Sequence, residues 1–192
     1  MKKTLALVIA VGLAGCGTVK LPSNVTTIQG GSASGKYIDR VDYSYDETVE
    51  FSALKLCVAE NVSNDGVTMT DQSESWVGPW SGNTYSRGNT STTSGGDTFK
   101  YMDDATQTVI ATGTVPESGQ GLIQRVVKFD LKAATKNNKV TLIFSKITHV
   151  QKDTGYAANT GFSQVGDWHG AGALDAVAAL EGTANRIKSC LR

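Results

Sequence analysis

The chain has 192 residues, with 18 basic and 18 acidic side chains, two histidines and a formal net charge of zero. That balance lacks the basic surface nucleic acid requires, and the length suits one domain built around one core. Twenty-one glycines, three prolines and a 7% aromatic content point to β-rich structure with generous loops rather than a helical bundle.

The first element is a leader. Lys2 and Lys3 precede an apolar run from Thr4 to Gly12, too short for the roughly 20 residues that span a bilayer. A positive end followed by such a run reads as an export signal. It closes on Leu13-Ala14-Gly15-Cys16, which resembles the lipobox of bacterial lipoproteins. The resemblance implies a signal peptide over 1–15, cleavage ahead of Cys16, a diacylglyceryl group on its thiol and acylation of its freed amine, with chains such as palmitate. The implied partner is therefore a membrane, reached through N-terminal lipid. Two or more acyl chains, at about 0.8 kcal/mol per buried methylene, anchor stably where a single chain binds marginally. By resemblance to enterobacterial sorting, Gly17 rather than aspartate after the cysteine favours the outer membrane. The alternative is an ordinary secretory signal with a chance cysteine. Loss of Lys2 and Lys3 tips the net charge to near −2, which favours neither nucleic acid nor an anionic membrane surface as a partner.

With Cys16 assigned to lipid, Cys57 and Cys190 are the cysteines left, in a compartment where disulfides persist. A Cys57–Cys190 bridge is expected, tying the C-terminal tail to an early element. Two buried free thiols are the alternative, since sequence does not test whether the Cα atoms come within about 7 Å.

Residues 16–36 are rich in Gly, Ser and Thr and read as a lipidated N-terminus on a flexible tether, with a single domain following over 37–192. Tyr37 to Tyr43 alternates as a strand. Ser44-Tyr45-Asp46-Glu47 has a capping-box pattern ahead of a helix running to Asn61, with Val49, Ala53, Leu56 and Cys57 along one side and Phe51, Leu54 and Val58 adjoining. A strand is expected from Val67 to Asp71, reaching toward Trp76. Gly78 to Asp97 then reads as a long surface loop or loose hairpin. Phe99–Met102 and Thr108–Val115 flank the turn Asp103-Asp104-Ala105-Thr106. Val127, Phe129 and Leu131 share one face of the next strand, and Val140, Leu142 and Phe144 one face of the strand after it. Asn137-Asn138 between those strands suits a primed turn, because asparagine tolerates positive φ. A final helix places Ala173, Val177, Leu180, Ala184, Ile187 and Leu191 on one face, with Cys190 beside it.

This order, an α+β antiparallel sheet with two helices packed on one face, resembles the TATA-box-binding-protein-like fold. More narrowly it is similar to a family of unknown-function domains of that fold in exported bacterial proteins. The resemblance is carried by Leu54-Lys55-Leu56-Cys57-Val58-Ala59-Glu60-Asn61, by the Asp103 to Val115 hairpin, and by Val127 to Val150. It implies fold and lipoprotein context alone, with no catalytic residues to carry over and no DNA binding.

Candidate chemistry is sparse. Gly30 to Lys36 has phosphate-loop spacing, but Tyr37 stands where Ser or Thr would hold magnesium, and a strand follows instead of a helix. His149 and His169, the latter after Asp167-Trp168, allow an Asp/His pair with a nearby serine, yet no G-x-S-x-G elbow or His-x-x-x-His spacing accompanies them. No catalytic, metal or cofactor site is therefore expected. Trp76, Trp80 and Tyr85, interleaved with Gly and Ser, are the candidate binding residues, able to stack on a glycan or anchor an envelope protein. The expected function is a membrane-anchored envelope lipoprotein acting as a binding or structural module. A hydrolase of cell wall or lipid, using His149 or His169 with nearby carboxylates, is the alternative.

Overall fold

The computed structural model describes residues 17–30, 35–117 and 123–192. The leader, its cleavage site and Cys16 lie outside the described residues, as do residues 31–34 of the phosphate-loop lookalike.

The fold is α+β. Its main sheet takes β1 (Val25–Gln29), β2 (Lys36–Tyr45), β10 (Lys139–Gln151), β9 (Arg125–Lys136), β8 (Thr108–Pro116) and β7 (Phe99–Asp103) in that spatial order, every pairing antiparallel. A short strand, β11 (Ser163–Gln164), adds to β10. Helices α1 (Phe51–Asn61) and α2 (Ala173–Cys190) lie on one face. They cover a single core in which Val127, Phe129, Leu131 and Ala133 of β9 meet Leu54 and Val58 of α1 and Leu180 and Ile187 of α2. Period-two alternation in the strands supplies that face, and three- and four-residue spacing in the helices supplies its cover.

The cysteines bridge the two helices: Cys57 and Cys190 are disulfide-bonded, with Cα atoms 5.6 Å apart. The Asn137-Asn138 turn has φ of 53° and 57°, the doubly left-handed geometry of a type I′ turn.

Three local expectations are corrected. The tether is in part folded structure. Val19, Leu21 and Val25 pack against the core, Thr18 bridges to Trp168, and β1 forms the sheet's edge. Short, Thr-rich edge strands carry little alternation, which is why composition alone suggested a linker. The described ends of the phosphate-loop lookalike close the β1–β2 pairing, Lys36 standing opposite Gln29 and Gly30 N–H donating to the Gly35 carbonyl. Second, no capping box forms. Ser44 remains in β2, opposite Thr141, and the Glu47 carboxylate meets Arg192 at 3.2 Å. The helix starts only at Phe51, with Glu50 as N-cap and no side-chain cap. Its buried side is Phe51, Leu54, Cys57 and Val58, while Leu56 faces solvent. Third, of the two expectations for residues 78–97, a long surface loop or a loose hairpin, the loop is excluded: Thr84–Tyr85 pairs back with Trp76–Val77 and Asn89–Thr93 with Val67–Asp71.

A bulge in β10 decides which residues reach the face away from the helices. Between Ser145 and Thr148 the strand carries an extra residue relative to β9, with Lys146 at φ 51°. One added residue inverts the faces of everything beyond it. Val140, Leu142 and Phe144 face the helices, whereas Val150 faces the opposite side and joins Val126 there.

Candidate functional site

On the sheet face away from the helices, Val126 and Val150 form a small apolar patch with Phe162. The ladder of β3 (Val67–Asp71) with β6 (Asn89–Thr93) stands on it through Val67 and Met69. Farther out, β4 (Trp76–Val77) pairs with β5 (Thr84–Tyr85). The stretch expected as a long surface loop or loose hairpin is thus a hairpin arm of two nested ladders. Its long Ser/Thr/Gly stretches hide the pairing because neither strand alternates with apolar residues beyond the root.

Asp71 fixes the arm to the body. It sits at the waist between the two ladders and accepts from the Ser73 hydroxyl at 2.6 Å and the Ser73 amide at 3.0 Å. It also accepts from the Asn159 amide at 3.0 Å and the Asn89 side chain at 3.3 Å. Backbone bonds from Thr70 N–H to the Lys152 carbonyl and from Gln72 N–H to the Gly155 carbonyl, both 2.7 Å, complete the joint. The Ser73 hydroxyl, with the Asn159 and Ser73 amides, holds the Asp71 carboxyl down at about 2.

On the open face, Asp130 makes a comparable knot. Burial pushes its carboxyl up, but donation from Lys100 at 2.6 Å, Thr112 at 2.6 Å and Lys146 at 2.9 Å outweighs burial and brings it to about 2. Both groups titrate below their unfolded value of roughly 3.9. Their stabilisation is therefore complete above that value and lost as pH falls through the folded pKa. The urea midpoint should fall between pH 5 and pH 2, and Asp71→Asn should flatten that fall. An unchanged slope in the variant would remove Asp71 from the account.

At the tip the candidate binding residues come together in part. Trp76 and Tyr85 stack across the β4–β5 ladder, with ring centroids 5.2 Å apart and planes 16° from parallel. Both rings remain about half exposed, and Trp80, in the turn between the strands, is 100% exposed. Gly78 N–H donates to the Asn83 carbonyl at 2.8 Å, and Gly82, at φ 68°, donates back to the Gly78 carbonyl at 2.9 Å. The turn is therefore closed by its own backbone and presents Trp80 outward. No charged residue occurs from Ser75 to Ser86, and Glu74 and Arg87 at the waist pair with each other at 3.0 Å.

The histidines lie apart from this tip, and each has a different setting. His169 uses its backbone N–H to hold the Gly17 carbonyl at 3.2 Å. The His149 ring lies 2.9 Å from Glu117, whose side chain is 2% exposed, and Arg125 lies 3.8 Å from the same carboxylate. In the β10–β11 ladder Ser163 is the residue opposite His149. Glu117 and Arg125 escaped sequence reasoning. The available signal was an acid and a base flanking one strand connection, which the β8–β9 ladder brings face to face. Asp103 and Asp104 occupy the expected turn, where Asp103 accepts from Ala105 and Thr106. Among the described residues no group of three or more His, Cys, Asp or Glu is placed to hold a metal ion.

A scan against protein-family models finds no match, and a search of curated proteins finds none.

Proposed function

We propose that this chain is a lipoprotein of the bacterial envelope, held at the outer membrane by lipid on Cys16, whose α+β domain is a binding module acting through its aromatic arm. The observation that carries the reading is the Trp76–Tyr85 stack beside a wholly exposed Trp80 on an arm fixed at its root. Large rings left in water at a rigid tip are the composition of binding hot spots and a departure from ordinary monomer surfaces. The TATA-box-binding-protein-like resemblance belongs to the same proposal and adds no activity to it.

A photoactivatable residue at Asn83 should form an adduct in intact cells. Trp80→Ala combined with Tyr85→Ala should reduce that adduct at least tenfold, since hot-spot truncation costs roughly 2 kcal/mol or more. Trp80 is wholly exposed and Tyr85 contacts Trp76 at the tip, away from the core, so the double change is expected to leave the domain folded, which an unchanged melting temperature checks. Absence of any adduct would end the binding reading. Cys16→Ser should abolish acyl labelling, and persistent labelling would refute the anchor.

A second reading, an envelope hydrolase, is favoured by the contact of Glu117 with His149 and by Ser163 opposite it. A carboxylate on one ring nitrogen orients the other toward a proton-transfer partner. That reading requires His149→Ala to alter the cellular phenotype while the arm variants leave it intact.

A further inference from the structure

We propose that the tip of the arm, Trp76, Val77, Trp80 and Tyr85, inserts into the lipid–water interface of the same membrane that holds Cys16, giving the domain a second membrane contact and a fixed orientation. The inference rests on the lipid-anchor reading and names the partner of the arm.

Three observations converge on it. The first is the absence of slack at the N-terminus. Gly17 is bonded through its carbonyl to His169 N–H, Val19 N–H donates to the Asp167 carbonyl at 2.7 Å, and Val19 and Leu21 pack on the core. Cys16 is one peptide bond from Gly17. A lipid on that cysteine therefore holds the folded body against the membrane instead of on a leash.

The second is where the arm leaves the body. Arg125 begins β9 and Gln151 ends β10, and their pairing closes the ladder. Val19 and His169 line a cleft with Arg125 at this end, and the root of the arm stands on Val126, Val150 and Lys152 beside it. The anchored terminus and the arm thus depart from one end of the sheet.

The third is the chemistry of the tip. Trp and Tyr join an apolar body to a polar edge, which suits them to the interfacial zone of bilayers. The stretch from Ser75 to Ser86 carries no charge to desolvate, and its polar members, among them Ser81, Asn83 and Thr84, can meet headgroups. A two-stranded hairpin keeps unpaired edge amides and carbonyls, so insertion stops at headgroup depth. Charge attraction plays no part in such a contact.

The test uses the lipidated protein reconstituted into phosphatidylethanolamine and phosphatidylglycerol vesicles with brominated acyl chains, reading tryptophan emission. Trp168 bridges to Thr18 beside the anchored terminus, so Trp168→Phe is introduced into every protein compared, the reference wild type included, and the emission reports Trp76 and Trp80 alone. Wild-type emission should be quenched to the same extent at low and high salt. Trp80→Phe should keep Trp76 quenched. Trp80→Asp should withdraw the tip, shifting the inserted-to-free ratio by roughly tenfold or more, as expected from lost apolar burial. Emission from wild type that brominated lipid does not quench overturns the proposal, as does Trp80→Asp leaving Trp76 quenched. In either case an Asn83 adduct to protein or glycan leaves the binding-module reading standing, whereas no adduct at all removes that reading too.

Discussion

Replacing Cys57 and Cys190 together by serine should lower the melting temperature by roughly 10 °C, from about 2–5 kcal/mol lost in a domain of this size. The bridge closes a sequence separation of 133 residues, for which chain entropy alone gives about 5 kcal/mol. The native state contributes as well. Cys57 is buried on α1 while Cys190 is exposed in the last turn of α2, so the bond clamps a helix end that would otherwise fray. Arg192–Glu47 and Lys188 over the Tyr45 ring, at 4.6 Å, lie at the same end, but both are open to solvent on at least one side and contribute little beside a covalent bond. Wild type measured in reductant should melt with the double variant. Coincident curves for wild type with and without reductant, at equal thiol counts, would show that the bond carries no stability.

How much of the fold was legible in the sequence depends on where each residue's information lies. The β8, β9 and β10 strands and α2 were readable because one face of each is buried against a continuous core, which imposes periodicity. The disulfide followed from cysteine number and the expectation of an exported chain. By contrast, β1 and the arm's returning strands β5 and β6 escaped, although β3 was legible as Val67–Asp71. Thr26 and Thr27 at an edge, or Asn89 to Thr93 over a small patch, need few apolar residues, so their pairing is set by partners far along the chain. The Ser44–Glu47 motif misled for a related reason. A local capping preference of about 1 kcal/mol is outweighed when Tyr45 continues a ladder with Val140. At the candidate site the residue types, Trp76, Trp80 and Tyr85, were visible. Their geometry was not, because it depends on Asp71 reaching Asn159, 88 residues away. The Lys146 bulge is similarly silent, since nothing about a lysine announces positive φ. Without it Val150 would face the helices and the arm would lose half its footing.

The largest single-residue loss should come from Phe129→Ala, expected at about 3–5 kcal/mol and measured by urea unfolding. Phe129 is 2% exposed, stacks edge-on against Phe144 at 5.1 Å, and lies where both helices cover β9. Its space is reserved by Gly113, the residue opposite it on β8. A Cβ on Gly113 would sit 2.7 Å from the Phe129 ring and 2.7 Å from a Val62 methyl, so Gly113→Ala should itself cost about 1–3 kcal/mol by overpacking. The two losses have opposite origins, a void and a clash, and they share one volume. Together they should cost less than their sum, because the alanine methyl at 113 enters space the ring has vacated. Additivity within about 0.5 kcal/mol would mean that the glycine serves backbone conformation and not the ring. The expected deficit ties the glycine of the Val109-Ile110-Ala111-Thr112-Gly113 strand to one side chain. Three residues farther along the same strand, Pro116 pairs with Val126, so the ladder that houses the ring also carries the footing of the arm.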